Sequence, residues 1–250
     1  MALSDIFDVK KPGIGLITDW TEIPMLEMSV MAGVQYAVLD NEHRQASPDA
    51  MERFMAVIQG AGIPALIRVP EFEINSIGRV LDLGFDGIII PHIESSAALD
   101  EVMKYVYFPP KGERGIGQAR GNRYVIPMTT AEYVNYVNSE KFIIAQIESP
   151  KGVENAEEIA AHKDVAAVMV GPRDLSTELG RPGDFFCDEV QNMISHVNDV
   201  CVKNGKKLIM PCGTGAFERY QQKGINHFLV SAGPAYFNAM KNAVKAALEA

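Results

Sequence analysis

Short aliphatic runs recur along the chain, and each is followed by a segment whose apolar residues repeat at helical spacing. The runs predict strands over Gly13–Thr18, Tyr36–Asp40, Ala65–Val69, Gly87–Ile90, Ile143–Glu148, Ala167–Val170, Lys207–Met210 and His227–Val230. They are apolar through most of their length, as strands covered on both faces must be. Between them, Met51, Phe54, Met55 and Ile58 recur at i, i+3, i+4 and i+7 after Ser47-Pro48, an N-cap followed by a proline suited to the first helical turn. Thr129 with Glu132, and Asn155 with Glu158, have capping-box spacing. Gly60 and Gly84 stand where helices should stop. Near the C-terminus, Phe237, Met240, Val244 and Leu248 form an apolar helical stripe that reads first as the last helix of the fold.

Eight strand–helix units in 250 residues match the size of an α/β barrel of the (β/α)8, or TIM, type. A doubly wound open sheet is the alternative, but the first strand lacks the GxGxxG turn of a dinucleotide fold. No linker, charge block or short repeat divides residues 1–250, so the chain reads as one domain. The stretch from Pro109 to Thr130 holds Gly112, Gly115, Gly117 and Gly121 and reads as a functional loop.

Charge and cysteine usage narrow the setting. Lys plus Arg number 23 against 32 Asp plus Glu, a formal net charge of −9. That balance argues against nucleic acid or an anionic membrane as the partner, while leaving a small anionic substrate open. Cys187, Cys201 and Cys212 form no CxxC pair and are odd in number, which suits reduced thiols in the cytoplasm. Met1 to Lys11 carries Asp5 and Asp8 and no long apolar stretch, so no signal peptide is expected there. Apolar runs such as Val165 to Val170 are far too short to cross a bilayer.

In a barrel of this kind the active site lies at the C-terminal ends of the strands. Those ends read Asp40-Asn41-Glu42-His43, Arg68-Val69-Pro70, Pro91-His92, Gln146-Ile147-Glu148, Gly171-Pro172-Arg173-Asp174, Pro211-Cys212-Gly213 and Ser231-Ala232-Gly233. Gln146 and Glu148 are two apart and share a face, an expensive arrangement unless they bind something. Glu148 and Asp174 end consecutive strands and suit a hard divalent cation, though an ion pair or a helix cap would also account for them. No HExxH, helical His pair or cysteine cluster suggests zinc. Arg68 suits two-point recognition of a carboxylate, or else a structural bridge to Glu42 or Asp40. His43, with acidic neighbours, is the candidate proton carrier and His92 its competitor, while His162, His196 and His227 read as structural.

At these residues the sequence resembles the metal-dependent, pyruvate-specific class II aldolases typified by 4-hydroxy-2-oxoheptanedioate aldolase, with 2-dehydro-3-deoxyglucarate aldolase and macrophomate synthase in the same phosphoenolpyruvate/pyruvate barrel group. The matching pieces are Leu39-Asp40-Asn41-Glu42-His43, Ile67-Arg68-Val69-Pro70, Leu81-Asp82-Leu83-Gly84, Ile90-Pro91-His92, Gly112-Glu113-Arg114-Gly115, Gln146-Ile147-Glu148 and Gly171-Pro172-Arg173-Asp174-Leu175-Ser176 with Leu179-Gly180. Their order and spacing agree from about Gly13 to Gly180. The resemblance implies that Glu148 and Asp174 hold Mg²⁺ or Mn²⁺, with Co²⁺ a further candidate, and that pyruvate chelates the ion while Arg68 and Gln146 contact it. It implies His43 as acid/base through water on the ion, Asp82 as the group polarising His43, and Gly171 and Pro172 as backbone contacts to the pyruvate carboxylate. It also implies a homohexamer built from dimers, with the C-terminal helix exchanged or packed between subunits.

Arg173 stands where many relatives carry a smaller or uncharged residue, and Gln118 to Tyr124 is rich in arginine. One of these arginines, Arg173 or Arg123, is expected either to select an anionic aldehyde or to form a subunit-interface salt bridge. The leading function is a carbon–carbon lyase working through pyruvate enolate. The rivals are a CoA-thioester lyase of the citramalyl or malyl type, oxaloacetate decarboxylation, and a catalytically silent barrel kept as a binding subunit.

Overall fold

The computed structural model describes residues 12–70, 76–140, 142–213 and 215–249. The strands are β1 (Gly13–Thr18), β2 (Tyr36–Asp40), β3 (Ala65–Arg68), β4 (Gly87–Ile90), β5 (Phe142–Ile147), β6 (Val165–Val170), β7 (Lys207–Pro211) and β8 (His227–Ser231). They pair in parallel and in sequence order, and β8 closes onto β1, which makes the (β/α)8 barrel. The helices are α1 (Ile23–Met31), α2 (Pro48–Gly60), α3 (Ile77–Asp82), α4 (Ser96–Val106), α5 (Thr130–Glu140), α6 (Pro150–Glu154), α7 (Ala156–Ala161), α8 (Pro172–Glu178), α9 (Asp188–Lys203), α10 (Phe217–Gln221) and α11 (Ala232–Glu249), with a 3-10 turn over Arg120–Val125. The strand expectations hold to within two residues at each end. β5 stops at Ile147, which leaves Glu148 in the loop. The reading of Met1 to Lys11 lies outside the described residues.

The period-two alternation of the strands sorts side chains into two cores. Ile17, Tyr36, Val38, Leu66, Ile89, Ile144, Ala167, Met169, Ile209 and Leu229 fill the barrel interior. The other face of each strand joins the helices in the larger outer core. The Tyr36 ring fits inside only because its register partner is Gly15, where a Cβ would come within 2.4 Å of the ring. The inward rows change character as they climb. Tyr36 and Val38 lead to Asp40, Leu66 leads to Arg68, and Ile144 leads to Gln146. The aliphatic plug thus ends in polar groups at the mouth.

Local signals act as expected at α2, where the Ser47 hydroxyl accepts from the Ala50 N–H, and at Thr129 and Glu132, whose side chains each accept from the other's backbone N–H. Two signals act differently. Asn155 makes no cap bond and instead donates to the Glu94 carbonyl, while Glu158 accepts from Ser96 N–H, because both are used to tie helix starts together. Gly60 is the last residue of α2, and Gly62 supplies the left-handed turn instead.

The Pro109–Thr130 stretch does not border the mouth. It follows α4, whose C-terminus faces the opposite end of the barrel, and it packs on the end of α3. Arg114 there is buried and paired with Asp82, and Arg120 donates to Gln59 and to the Leu83 carbonyl. Arg123, Tyr124 and Val125 follow one another in the left-handed region. No helix among the described residues is long and apolar enough to cross a membrane. All three cysteines are free.

Candidate active site

The C-terminal ends of the strands enclose a cleft of about 570 Å³. His43, Arg68, Gln146, Glu148, Gly171, Pro172, Arg173 and Asp174 all line it. Asp82 and Arg123 do not. Asp82 ends α3 and bonds to Arg114, and Arg123 sits in the loop packed beside it, so both stand at the far end of their own barrel.

The floor is built by register. Asp40 and Arg68 are direct partners across β2 and β3, so both project inward at one level. Arg68 Nε and Nη2 donate to Asp40 Oδ1 and Oδ2 at 2.9 and 2.7 Å, a two-point grip that fixes the guanidinium plane. Its Nη1 lies 2.7 Å from Glu42 Oε2 and donates to Gln146 Oε1 at 3.4 Å. The structural bridge and the ligand-facing role expected of Arg68 are therefore compatible. Two carboxylates hold the charged plane against Gln146, which in turn donates to Glu148.

Sequence reasoning offers Asp40 and Glu42 as bridges to Arg68 and His92 as a rival proton carrier, but it misses that Glu42 and His92 join Glu148 in one cluster. Asp40 forms the bridge and orients Arg68. A ligand atom from each of Glu42, His92 and Glu148 lies within 4.8 Å of the others. His92 stands just past β4 in the left-handed region (φ 52°), an uncommon place for a residue with a Cβ. That turn aims its backbone N–H at Glu148 Oε1, 2.8 Å away, and brings its Nδ1 to 3.5 Å from the same oxygen. His43 points its Nε2 at Glu42 Oε2 across 3.5 Å from a largely exposed ring. The available signal was the clustering of ionisable residues at the ends of β2 and β4; which of them faces inward depends on the turns that follow, which periodicity does not reach.

The electrostatics call for a cation. Asp40, Glu42 and Glu148 crowd around the Arg68 guanidinium, and Asp174 lines the same cleft. Burial pushes the Glu42 carboxyl above its ordinary range, with Arg68 opposing the shift. Burial does the same to Glu148, opposed by the His92 backbone N–H and by Gln146. Glu42 Oε2 is buried and lacks an aligned hydrogen bond despite its closeness to Arg68. Glu148 passes directly under Gly171, where a Cβ would come within 2.4 Å of its Oε2, so only glycine admits the carboxylate there. A divalent ion fits this donor set of hard oxygens and one imidazole, because it would make ionisation of the crowded carboxylates favourable.

Comparison with known proteins agrees with this arrangement. Residues 19–211 match the HpcH/HpaI aldolase/citrate lyase family. A 5-keto-4-deoxy-D-glucarate aldolase of Klebsiella pneumoniae is 32% identical over 216 residues, covering 85% of this chain and 83% of the relative. The crystal structure of an HpcH/HpaI aldolase from Desulfitobacterium hafniense superposes with a TM-score of 0.90 at 27% identity, over 100% of this chain and 98% of the other. A family protein from Burkholderia cenocepacia gives a TM-score of 0.89 at 25% identity, over 99% and 98%. The barrel, the carboxylate-rich mouth and these matches together establish that the chain belongs to the HpcH/HpaI aldolase/citrate lyase family.

Proposed function

We propose that the protein is a divalent-metal-dependent class II aldolase that forms or cleaves 4-hydroxy-2-oxo acids through pyruvate enolate. The observation that carries this reading is the meeting of Arg68, Gln146, Glu148, Asp174 and His43 on one cleft. Glu148 would anchor the ion, Mg²⁺ or Mn²⁺ by the hardness of the ligands, with Co²⁺ a third candidate. Asp174 is the better second ligand, since its carboxylate makes no ion pair or hydrogen bond among the described residues, whereas Glu42 already faces Arg68. When bound, such an ion supplies a Lewis acid for the 2-oxo group and for the charge that develops on its oxygen.

The chain's own groups do the rest. Arg68, held flat by Asp40, presents positive charge beside Gln146, where the carboxylate and oxo oxygens of pyruvate would lie. Gly171 and Pro172 form the adjoining wall. His43 takes a proton from the pyruvate methyl carbon and can pass it to water through its exposed ring. The electron pair left on that carbon forms the new bond to the aldehyde carbon. The aldehyde's carbon–oxygen π pair moves to oxygen, which picks up a proton, and the reverse sequence is cleavage. The 5-keto-4-deoxy-D-glucarate aldolase among the relatives is the precedent for this reaction class.

Asp82 and Arg123 can reach such a cleft only from a second copy, so their roles belong to an oligomer, for which the reading is a homohexamer. Helix α11 supports it: Tyr236, Phe237, Met240, Val244 and Leu248 are all exposed, and no residue of the helix is buried. A second copy covering or exchanging this helix would bury the stripe. The chain is read as one domain, and its free thiols fit a reducing, cytoplasmic setting.

The test is exchange of the pyruvate methyl protons in heavy water, followed by loss of the methyl signal in proton NMR. Exchange is expected with Mg²⁺, Mn²⁺ or Co²⁺ and is expected to stop on chelation. Absence of exchange with every one of these ions would remove the enolate reading.

A further inference from the structure

Two arginines line the cleft, and their surroundings differ. Arg68 is committed: Asp40 takes two of its donors and Glu42 lies against a third. Arg173, on the first turn of α8, is exposed, and its guanidinium makes no ion pair or hydrogen bond among the described residues. Its side-chain contact is with the ring of Phe185, 6.0 Å from the guanidinium carbon. Phe185 and Phe186 line the same cleft, and Phe186 is itself backed by Arg219, which lies 4.4 Å over its ring and does not line the cleft. A cation laid along an aromatic ring is steadied without being neutralised. Arg173 therefore keeps its full charge and its planar fork of donors for something else. The cleft is far larger than a three-carbon acid, so a second molecule has room beside the first. Arg123, the other arginine the sequence offered for this task, is at the far end of its own barrel and could reach this cleft only from a second copy.

We infer that Arg173 is the specificity-determining residue for the second substrate, binding the carboxylate or phosphate of an anionic aldehyde. The inference rests on the aldolase reading and adds the chemistry of the acceptor. Phe185 positions the guanidinium, and the fork meets the anion in two-point fashion. Arg68 is left to the 2-oxo acid.

The test is a ratio of kcat/KM values for paired acceptors with pyruvate and Mn²⁺. One arm compares 4-oxobutanoate with its methyl ester; the other compares glyceraldehyde 3-phosphate with glyceraldehyde. Wild type is expected to favour the anion by about tenfold or more in at least one arm, and that arm identifies the anion. Arg173→Ala is expected to erase most of that preference, and Arg173→Lys to restore part of it. Because each ratio is taken within one preparation, it is insensitive to the fraction of active enzyme, and Arg173→Gln serves if the alanine variant does not fold. A wild-type ratio near one in both arms, or a ratio unchanged by substitution, overturns the inference. Wild-type methyl exchange, run alongside, separates the two failures: exchange with a flat ratio rejects only the role of Arg173, whereas no exchange rejects the aldolase reading itself.

Discussion

The two ends of the barrel both carry buried charge, and they treat it in opposite ways. At the far end Arg114 is closed in by Asp82, and Arg120 is bonded to Gln59 and the Leu83 carbonyl; charge there is answered within the chain. At the mouth the carboxylates outnumber the guanidinium they surround, and two of them are pushed up by burial. Balanced charge holds a loop in place. Unbalanced charge is a standing cost to the fold that a ligand can relieve.

Substitutions can break that contrast, beginning where the effect is largest. Glu148→Gln keeps the shape but removes the anchor, and metal-dependent methyl exchange should fall at least about a thousandfold, roughly 4 kcal/mol in the barrier. The same change should leave the protein folded in thermal melts, since it removes a crowded charge. Asp82→Asn should do the reverse and lower stability by about 2 kcal/mol, less than for a fully buried pair because Asp82 is partly open to water. For a chain of this size that is a loss of roughly 4–8 °C in Tm. Exchange measured well below that Tm then tests Asp82 as the polarising partner of His43: an unchanged rate removes it from the site. The smallest effect separates the candidate ligands. Asp174→Asn should weaken Mn²⁺ binding in calorimetry by about tenfold or more, and Glu42→Gln by less. The opposite order would move the ion into the Glu42–His92–Glu148 cluster.

Much of this arrangement could be read from residues alone. Aliphatic runs ending in Asp40, Arg68 and Gln146 placed the strands and their polar rims, because a buried strand cannot afford charge except where it leaves the core. Glu148, Gly171 and Asp174 were legible for the same reason. The partnership of Glu42, His92 and Glu148 was not, since it depends on a left-handed turn at His92 that no propensity favours. The positions of Asp82 and Arg123 were also out of reach. The role the resemblance gives Asp82, and the one the arginine-rich segment suggests for Arg123, are silent on which copy they serve, and only the direction of α3 and α4 puts them at the opposite end. Asn155 shows the same limit on a small scale: the spacing suited a cap, but the Glu94 carbonyl offered a competing partner.

The Tyr36 ring, seated in the space left by Gly15, has one more consequence. With the lower barrel filled by that ring and the aliphatic rows around it, the cleft lies above a closed floor at the C-terminal ends of the strands. On the aldolase reading, the 2-oxo acid seated deep against Arg68 is expected to bind before the aldehyde nearer the rim, and a surplus of aldehyde to slow its release.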